Sequence, residues 1–176
     1  LQSINYYGKA KLMIEKNIIS LNKKSSLNFI ILRPSNVYGK IEKISSEQGF
    51  IEASMIRMLE SKPIVVWGTG EQTRDYLHIS DMVDVVYKII DKNLNNKIFN
   101  VGCGESHSLL EVINILENTL QIQASVDFKA KRSIDVDKLQ FDINYLKSLI
   151  DFYPINLTSG MKAFYKDYVS HQKYNE

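Results

Sequence analysis

Hydrophobic residues in the first part of the chain change from helical to strand spacing. Between residues 8 and 21 they recur at the intervals of one helix face, formed by Leu12, Met13, Ile14, Ile18, Ile19 and Leu21. Residues 27–32 are continuously apolar apart from Asn28, which is typical of a strand buried on both faces of a parallel sheet. We expect this strand to end at Arg33-Pro34, because proline has no N–H to donate to a central ladder.

The same alternation continues through the middle of the chain. Helical spacing after residue 50 predicts a buried stripe of Ile51, Met55, Ile56, Met58 and Leu59. Residues 63–67 and 97–101 predict strands. The helix between these strands has Ser80 or Asp81 as its candidate cap. Its apolar side should consist of Val83, Val86, Ile89 and Ile90.

A capping box begins the next predicted helix. Ser108 and Glu111 have the spacing at which each side chain accepts a hydrogen bond from the other's backbone. The helix should bury Val112, Ile113, Leu116 and Leu120. A strand at residues 125–128 and two closing helices, 142–150 and 158–168, complete the pattern. Strands and helices that alternate in this way favour an α/β fold.

Composition restricts the function classes. The 176 residues are 44% hydrophobic and 24% charged, and the apolar runs are too short to span a bilayer. A net charge of +2 and scattered lysines provide no groove for nucleic acid. Cys103 has no second cysteine to pair with, and the three histidines lack metal-ligand spacing. We therefore expect a cytoplasmic protein without a metal site, a membrane segment or a nucleic-acid partner.

Tyr7 and Lys11 are candidates for acid–base chemistry. They stand four residues apart at the start of the first predicted helix, so their side chains share one face. An ammonium beside a phenol favours the phenolate, which can take a proton from a hydroxyl as hydride leaves the same carbon. Alone, this spacing more often belongs to a solvated lysine and a core tyrosine.

Further motifs follow the predicted strands in a fixed order. Residues 32–39 read LRPSNVYG, residues 68–81 read GTGEQTRDYLHISD, and residues 100–104 read NVGCG. Arg132 and Asp135 form an R-x-x-D pair near the end. Together with Y-G-x-x-K at residues 7–11, this ordered set resembles the NAD-dependent epimerase/dehydratase family of extended short-chain dehydrogenases/reductases. The resemblance covers essentially the whole chain.

The resemblance implies a fold and a division into domains. Residues 1–40 would be the last part of a Rossmann-like, doubly wound parallel sheet that binds NAD. Residues 41–176 would mainly form a small α/β lobe for a nucleotide-sugar, with some segments returning to the sheet. The family's G-x-x-G-x-x-G phosphate loop has no counterpart in this sequence. Because the chain starts at Leu1, just before its first motif, we expect a C-terminal portion that is inactive alone.

The implied activity is C4 epimerisation of a nucleotide-sugar, with a UDP-hexose as the expected substrate, through a 4-keto sugar with NAD as cofactor. A 4,6-dehydratase or reductase of the same family stays open, because the residues that distinguish them lie upstream of Tyr7. A non-catalytic nucleotide-sugar-binding module is the alternative from another class. Family likeness also implies a homodimer and a role in polysaccharide precursor synthesis. The nucleotide base, the sugar and its N-acetylation are not determined.

Roles for individual residues follow from the resemblance. Tyr7 would be the catalytic acid/base, Lys11 would hold the nicotinamide ribose, and Pro34 would lie against the nicotinamide. A nucleotide-sugar would be bound by Asn36, Phe50, Trp67, Arg74, Arg132 and Asp135.

Each substrate residue also has a structural alternative. Asn36 could be a turn residue, and Trp67 could fill the core. Arg74 and Arg132 could form surface ion pairs with Asp75 and Asp135. The Gly-x-Gly of residues 102–104 is interpreted as a structural turn, because no third glycine stands in register for a dinucleotide fingerprint.

Overall fold

Helices and strands alternate along the chain in the computed structural model, which describes residues 6–39, 49–132 and 136–174. The described helices are α1 Tyr6–Ser25, α2 Phe50–Leu59, α3 Ile79–Asp91, α4 Leu109–Leu120, α5 Asn144–Lys147 and α6 Leu157–Tyr174. The described strands are β1 Ile30–Pro34, β2 Asn36–Tyr38, β3 Ile64–Trp67, β4 Thr73–Arg74, β5 Tyr76–His78, β6 Lys97–Val101, β7 His107–Ser108 and β8 Val126–Lys129. The predicted α/β class is confirmed.

Most strands pair in parallel. β1 pairs with β6, β2 with β5 and β3 with β8, whereas β4 and β7 are antiparallel. β1 and β2 are separated by one residue, and the chain changes partner there. The Ser35 N–H donates to the Val101 carbonyl at 2.8 Å, and the Asn36 N–H donates to the Asp75 carbonyl at 3.1 Å. The loop before β5 is thereby brought beside the carboxyl end of β1.

Two hydrophobic clusters lie on either side of this change of partner. The first joins α2, β3, α4 and α6 through residues that include Ile51, Met55, Val66, Leu116 and Phe164. The second joins β5, α3 and β6 through Leu77, Val85, Ile89, Phe99 and Val101, and extends to Phe152. Burial of this apolar surface is the main term that stabilises the fold.

Several sequence predictions hold. The Ser108–Glu111 capping box is present, and α4 buries Val112, Ile113, Leu116 and Leu120 as predicted. β1 also ends at Pro34, as predicted, with Pro34 in register with Val101. A proline is tolerated there because it is the last strand residue, and the next residue, Ser35, supplies the N–H to the ladder.

The prediction for α3 is wrong in two respects. Its N-cap is His78, whose Nδ1 accepts a hydrogen bond from the Ser80 N–H at 3.3 Å. Ile89 is buried as predicted, but Val83 and Ile90 are 61% and 69% exposed. The helix is turned so that Val85, together with Ile89 one turn later, packs into the second cluster.

One closing helix and four short strands also differ from the prediction. The predicted helix at 142–150 is a single turn, α5, after which Ile150 donates its N–H to the Leu146 carbonyl. The short strands β2, β4, β5 and β7 were not predicted. None of the described helices is long and apolar enough to cross a membrane.

Candidate functional site

A cleft of about 270 Å³ opens where β2, β3 and β5 approach the N-terminus of α2. The strands contribute side chains at or near their ends, and α2 contributes its first turn. The predicted substrate residues that the cleft brings together are Asn36, Phe50, Trp67, Arg74 and Arg132. Residues separated by almost a hundred positions therefore line one concave surface. Asp135 lies outside the described residues.

Trp67 and Arg132 form a cation–π contact on the cleft wall. The guanidinium carbon of Arg132 lies 5.1 Å from the centroid of the Trp67 ring. Trp67 ends β3 and is 38% exposed, so it does not fill the core. Gln72 Nε2 donates to the Trp67 carbonyl at 2.6 Å and fixes the loop between them. An aromatic face and a cation are thus held side by side.

Within the described part of the chain, the partners of Arg74 are backbone carbonyls. Its Nη1 donates to the Thr73 carbonyl at 2.9 Å and to the Val136 carbonyl at 2.7 Å. A guanidinium carries five N–H donors, so these bonds position the group while retaining its capacity to bind an anion. The alternative ion pair with Asp75 does not form, because Asp75 points into the interior.

Asp75 organises the base of the cleft. It is fully buried, and its carboxylate accepts hydrogen bonds from the N–H groups of Cys103, Gly104 and Phe141 at 2.8, 3.0 and 3.2 Å. A Cβ at position 102 would lie 2.6 Å from Asp75 Oδ2, so this loop requires a glycine there. The structure therefore assigns the loop to support of Asp75, in agreement with the predicted structural turn.

The backbone carbonyl of Asp75 also holds Asn36 in place. Its side-chain Nδ2 donates to the Asp75 carbonyl at 2.8 Å, beside the backbone bond from its own N–H. One of the two amide N–H donors is thus engaged, and Asn36 can offer its oxygen and its second N–H to a ligand. This placement combines the turn-like role with a position on the cleft wall.

Glu52 is a cleft residue that the sequence analysis missed. It lies in the first turn of α2, is only 8% exposed, and accepts a hydrogen bond at Oε1 from the Gly39 N–H at 3.0 Å. Burial raises the pKa of Glu52, while backbone N–H groups of Glu52 and Gly39 oppose that rise. An acid in the first helical turn is a common capping signal, and that signal alone could have indicated Glu52.

Tyr7 and Lys11 lie on α1, apart from the described lining of the cleft. Lys11 Nζ is 5.4 Å from the centroid of the Tyr7 ring, so the predicted adjacency is present. Tyr7 is 72% exposed, and α1 has no buried residue. The helix is joined to β1 by a two-bond ion pair from Arg33 to Glu15, with Nε to Oε1 at 2.9 Å. This hydrogen bonding lowers the pKa of Glu15.

The nicotinamide end of NAD fits the residues present. Pro34 is exposed at the carboxyl end of β1, which is the edge where open parallel sheets bind ligands. Tyr7 and Lys11 offer an exposed hydroxyl and an ammonium on the helix that Arg33 ties to the same strand. The residues present do not fit the pyrophosphate of NAD in the same way, because no glycine-rich phosphate loop occurs in this sequence.

Comparison with known proteins agrees with these features. The model of the NAD dependent epimerase/dehydratase family matches residues 1–102. The chain belongs to this family. NAD is the family's cofactor.

The names of individual relatives give different activities. A putative UDP-glucose 4-epimerase of Methanocaldococcus jannaschii is 28% identical over 92% of this chain and 52% of its own length. The dTDP-4-dehydro-6-deoxyglucose reductase of Escherichia coli is 30% identical over 91% and 51%. The chain thus spans about half the length of these curated relatives.

A solved structure extends the likeness to three dimensions. The UDP-glucuronic acid 4-epimerase of Bacillus cereus, in complex with UDP-glucuronic acid and NAD, has a TM-score of 0.84 and 28% identity to this chain. The match covers 94% of this chain and 52% of that protein. The fold is therefore that of the corresponding half of a family member.

Proposed function

We propose that this chain is the substrate-binding half of a nucleotide-sugar 4-epimerase, with a UDP-hexose as substrate. The observation that carries the proposal is the convergence of Asn36, Trp67, Arg74 and Arg132 on one cleft. These side chains match the chemical parts of the ligand. The aromatic face of Trp67, with Phe50 beside it in the lining, suits a base, and the two guanidinium groups suit a diphosphate. The amide oxygen of Asn36 suits a hydroxyl.

Acid–base chemistry in this proposal belongs to Tyr7 and Lys11. Tyr7 Oη takes the proton of the sugar C4 hydroxyl, and Lys11 lies beside it, with Nζ 5.4 Å from the centroid of the Tyr7 ring. NAD, when bound, supplies the acceptor and donor for the C4 hydride. Tyr7 then returns the proton to the C4 oxygen after hydride has been delivered to the opposite face of the sugar. Pro34 and Lys11 border the nicotinamide end, and Asp135 assists the diphosphate clamp.

The domain division follows from the same proposal. Residues 1–40 complete a NAD-binding sheet, and residues 41–176 mainly form the nucleotide-sugar lobe. The second hydrophobic cluster supports the return of later segments to the sheet, because it packs β6 and α3 beside β1. The exposed apolar residues of α1, including Met13 and Ile14, support a homodimer of the full-length protein.

Binding and turnover test the proposal separately. Calorimetry of this chain with UDP and UDP-glucose should detect binding, and Arg74→Ala and Arg132→Ala should each weaken it at least about tenfold. Arg57→Ala is the matched control, because Arg57 donates to the Pro63 carbonyl outside the lining of the cleft. No heat with any nucleotide would contradict the diphosphate clamp.

Turnover is measured on the full-length protein with NAD. Interconversion of UDP-glucose and UDP-galactose, lost in Tyr7→Phe, is the expected result. Formation of a 4-keto-6-deoxy sugar would instead establish the dehydratase alternative, and NAD(P)H-dependent reduction of a 4-keto sugar would establish the reductase that the 30%-identical relative suggests. Tight nucleotide-sugar binding without turnover would favour a binding module.

A further inference from the structure

The described lining of the cleft contains one acidic residue, Glu52, opposite two arginines. An acid in a site for a diphosphate needs an explanation, because it repels the ligand that the arginines attract. Capping of α2 accounts for an acidic residue at the helix start. It does not account for an acid that is over nine-tenths buried and lines the ligand cleft.

The position of the Glu52 carboxylate is fixed by two glycines. The Gly39 N–H holds Oε1 at 3.0 Å. On the other side, a Cβ at position 49 would lie 2.4 Å from Oε2, so the carboxylate occupies space that only glycine leaves free. The hydrogen bond and the space left by Gly49 together hold the carboxylate in this position.

Glu52 lies at one end of the cleft, the end that β2 forms. Gly39 directly follows β2, whose first residue is Asn36, whereas Trp67 and Arg132 meet at the end of β3. Tyr76, which also lines the cleft, is in register with Asn36 in the β2–β5 pair. Through its hydrogen bond from the Gly39 N–H, Glu52 therefore shares the β2 end of the cleft with Asn36.

We propose that Glu52 is a specificity residue that excludes nucleotide-sugars with a carboxylate on the sugar and admits those with a neutral sugar. This inference rests on the proposed function. With the base at Trp67 and the diphosphate at the arginines, the sugar lies toward Asn36 and Glu52. A neutral hydroxyl can donate to the Glu52 carboxylate, whereas a uronate would bring two like charges together in the cleft. Both kinds of sugar occur among the relatives of this chain.

The test compares two sugars on the wild-type chain and two variants at pH 8. Calorimetry should show that UDP-glucose binds at least about tenfold more tightly than UDP-glucuronic acid, as expected for like charges within ~10 Å at an effective dielectric constant of ~20. Glu52→Gln should reduce this ratio about tenfold. Glu60→Gln should leave it unchanged, because Glu60 caps the other end of α2 and pairs with Lys62 on the surface.

A second measurement changes the ligand instead of the protein. UDP-glucuronamide, which has the shape of the uronate without its charge, should bind the wild-type chain about as tightly as UDP-glucose. This measurement needs no variant, so it tests the inference even if Glu52→Gln does not fold. Equal affinities for UDP-glucose and UDP-glucuronic acid would overturn the inference, as would an unchanged ratio of these affinities in a folded Glu52→Gln variant. In either case, binding of UDP would still support the diphosphate clamp. Absence of binding by UDP itself would overturn the proposed function and the inference with it.

Discussion

Replacing Asp75 by asparagine should destabilise the protein far more than an ordinary charge removal. The carboxylate accepts three backbone hydrogen bonds, one at Oδ1 and two at Oδ2. Asparagine has one acceptor oxygen. If the oxygen faces Cys103, the amide nitrogen faces the N–H groups of Gly104 and Phe141, and if the amide is flipped, the nitrogen faces the Cys103 N–H. One or two donors beside the buried side chain would lose their acceptor, at about 1–3 kcal/mol each, so we expect a loss of about 1–6 kcal/mol in the free energy of unfolding.

Urea denaturation followed by circular dichroism measures this loss. Asp91→Asn is the control, because Asp91 is exposed at the end of α3, and this variant should change stability by less than about 0.5 kcal/mol. A folded Asp75→Asn variant should also bind UDP more weakly, because the Asp75 carbonyl fixes both nitrogens of Asn36. Equal denaturation midpoints for Asp75→Asn and the wild type would refute the assignment of Asp75 as the support of the cleft.

Three further changes have defined outcomes. Gly102→Ala should lower the free energy of unfolding by about 1–3 kcal/mol in the same urea assay, because its Cβ would meet the Asp75 carboxylate. Glu15→Gln should cost about 1 kcal/mol at neutral pH by removing the ion pair with Arg33. Because that pair lowers the pKa of Glu15, the difference should be full above the ordinary glutamate pKa and vanish as pH falls through the folded-state value. Trp67→Ala should weaken UDP binding by about 1 kcal/mol or more in calorimetry, and unchanged affinity would contradict base stacking.

Local features of this chain were predictable from sequence because their determinants are local. The capping box of α4 involves residues three positions apart, and its apolar stripe has one clear face. In α3, the apolar residues form one broad stripe, and the sequence does not say which edge of that stripe packs. The second cluster decides it by accepting Val85.

Other features depend on partners distant in sequence. β2 is three residues long and pairs with β5 about forty positions later, so it has no recognisable period of its own. Asp75 looked like an ion-pair partner for the adjacent Arg74, but backbone donors from the 102–104 loop and Phe141 hold it instead. For Glu52, a polar residue in a first helical turn normally faces solvent, and only the approach of Gly39 shows that it is buried. The ordered motifs nevertheless identified the residues that share the cleft.

Ser35, the single residue between β1 and β2, determines which side chains of β2 face the cleft. Side chains alternate sides along extended chain, so one residue inserted beside Ser35 would invert β2 and exchange the directions of Asn36 and Val37. A deletion there would have the same effect, and the ladder bonds of Ser35 and Asn36 would no longer both be made. Changes of chain length at this junction should therefore abolish ligand binding even where each new residue is chemically mild. The one-residue junction therefore fixes the position of Asn36 on β2 relative to that of Pro34 on β1.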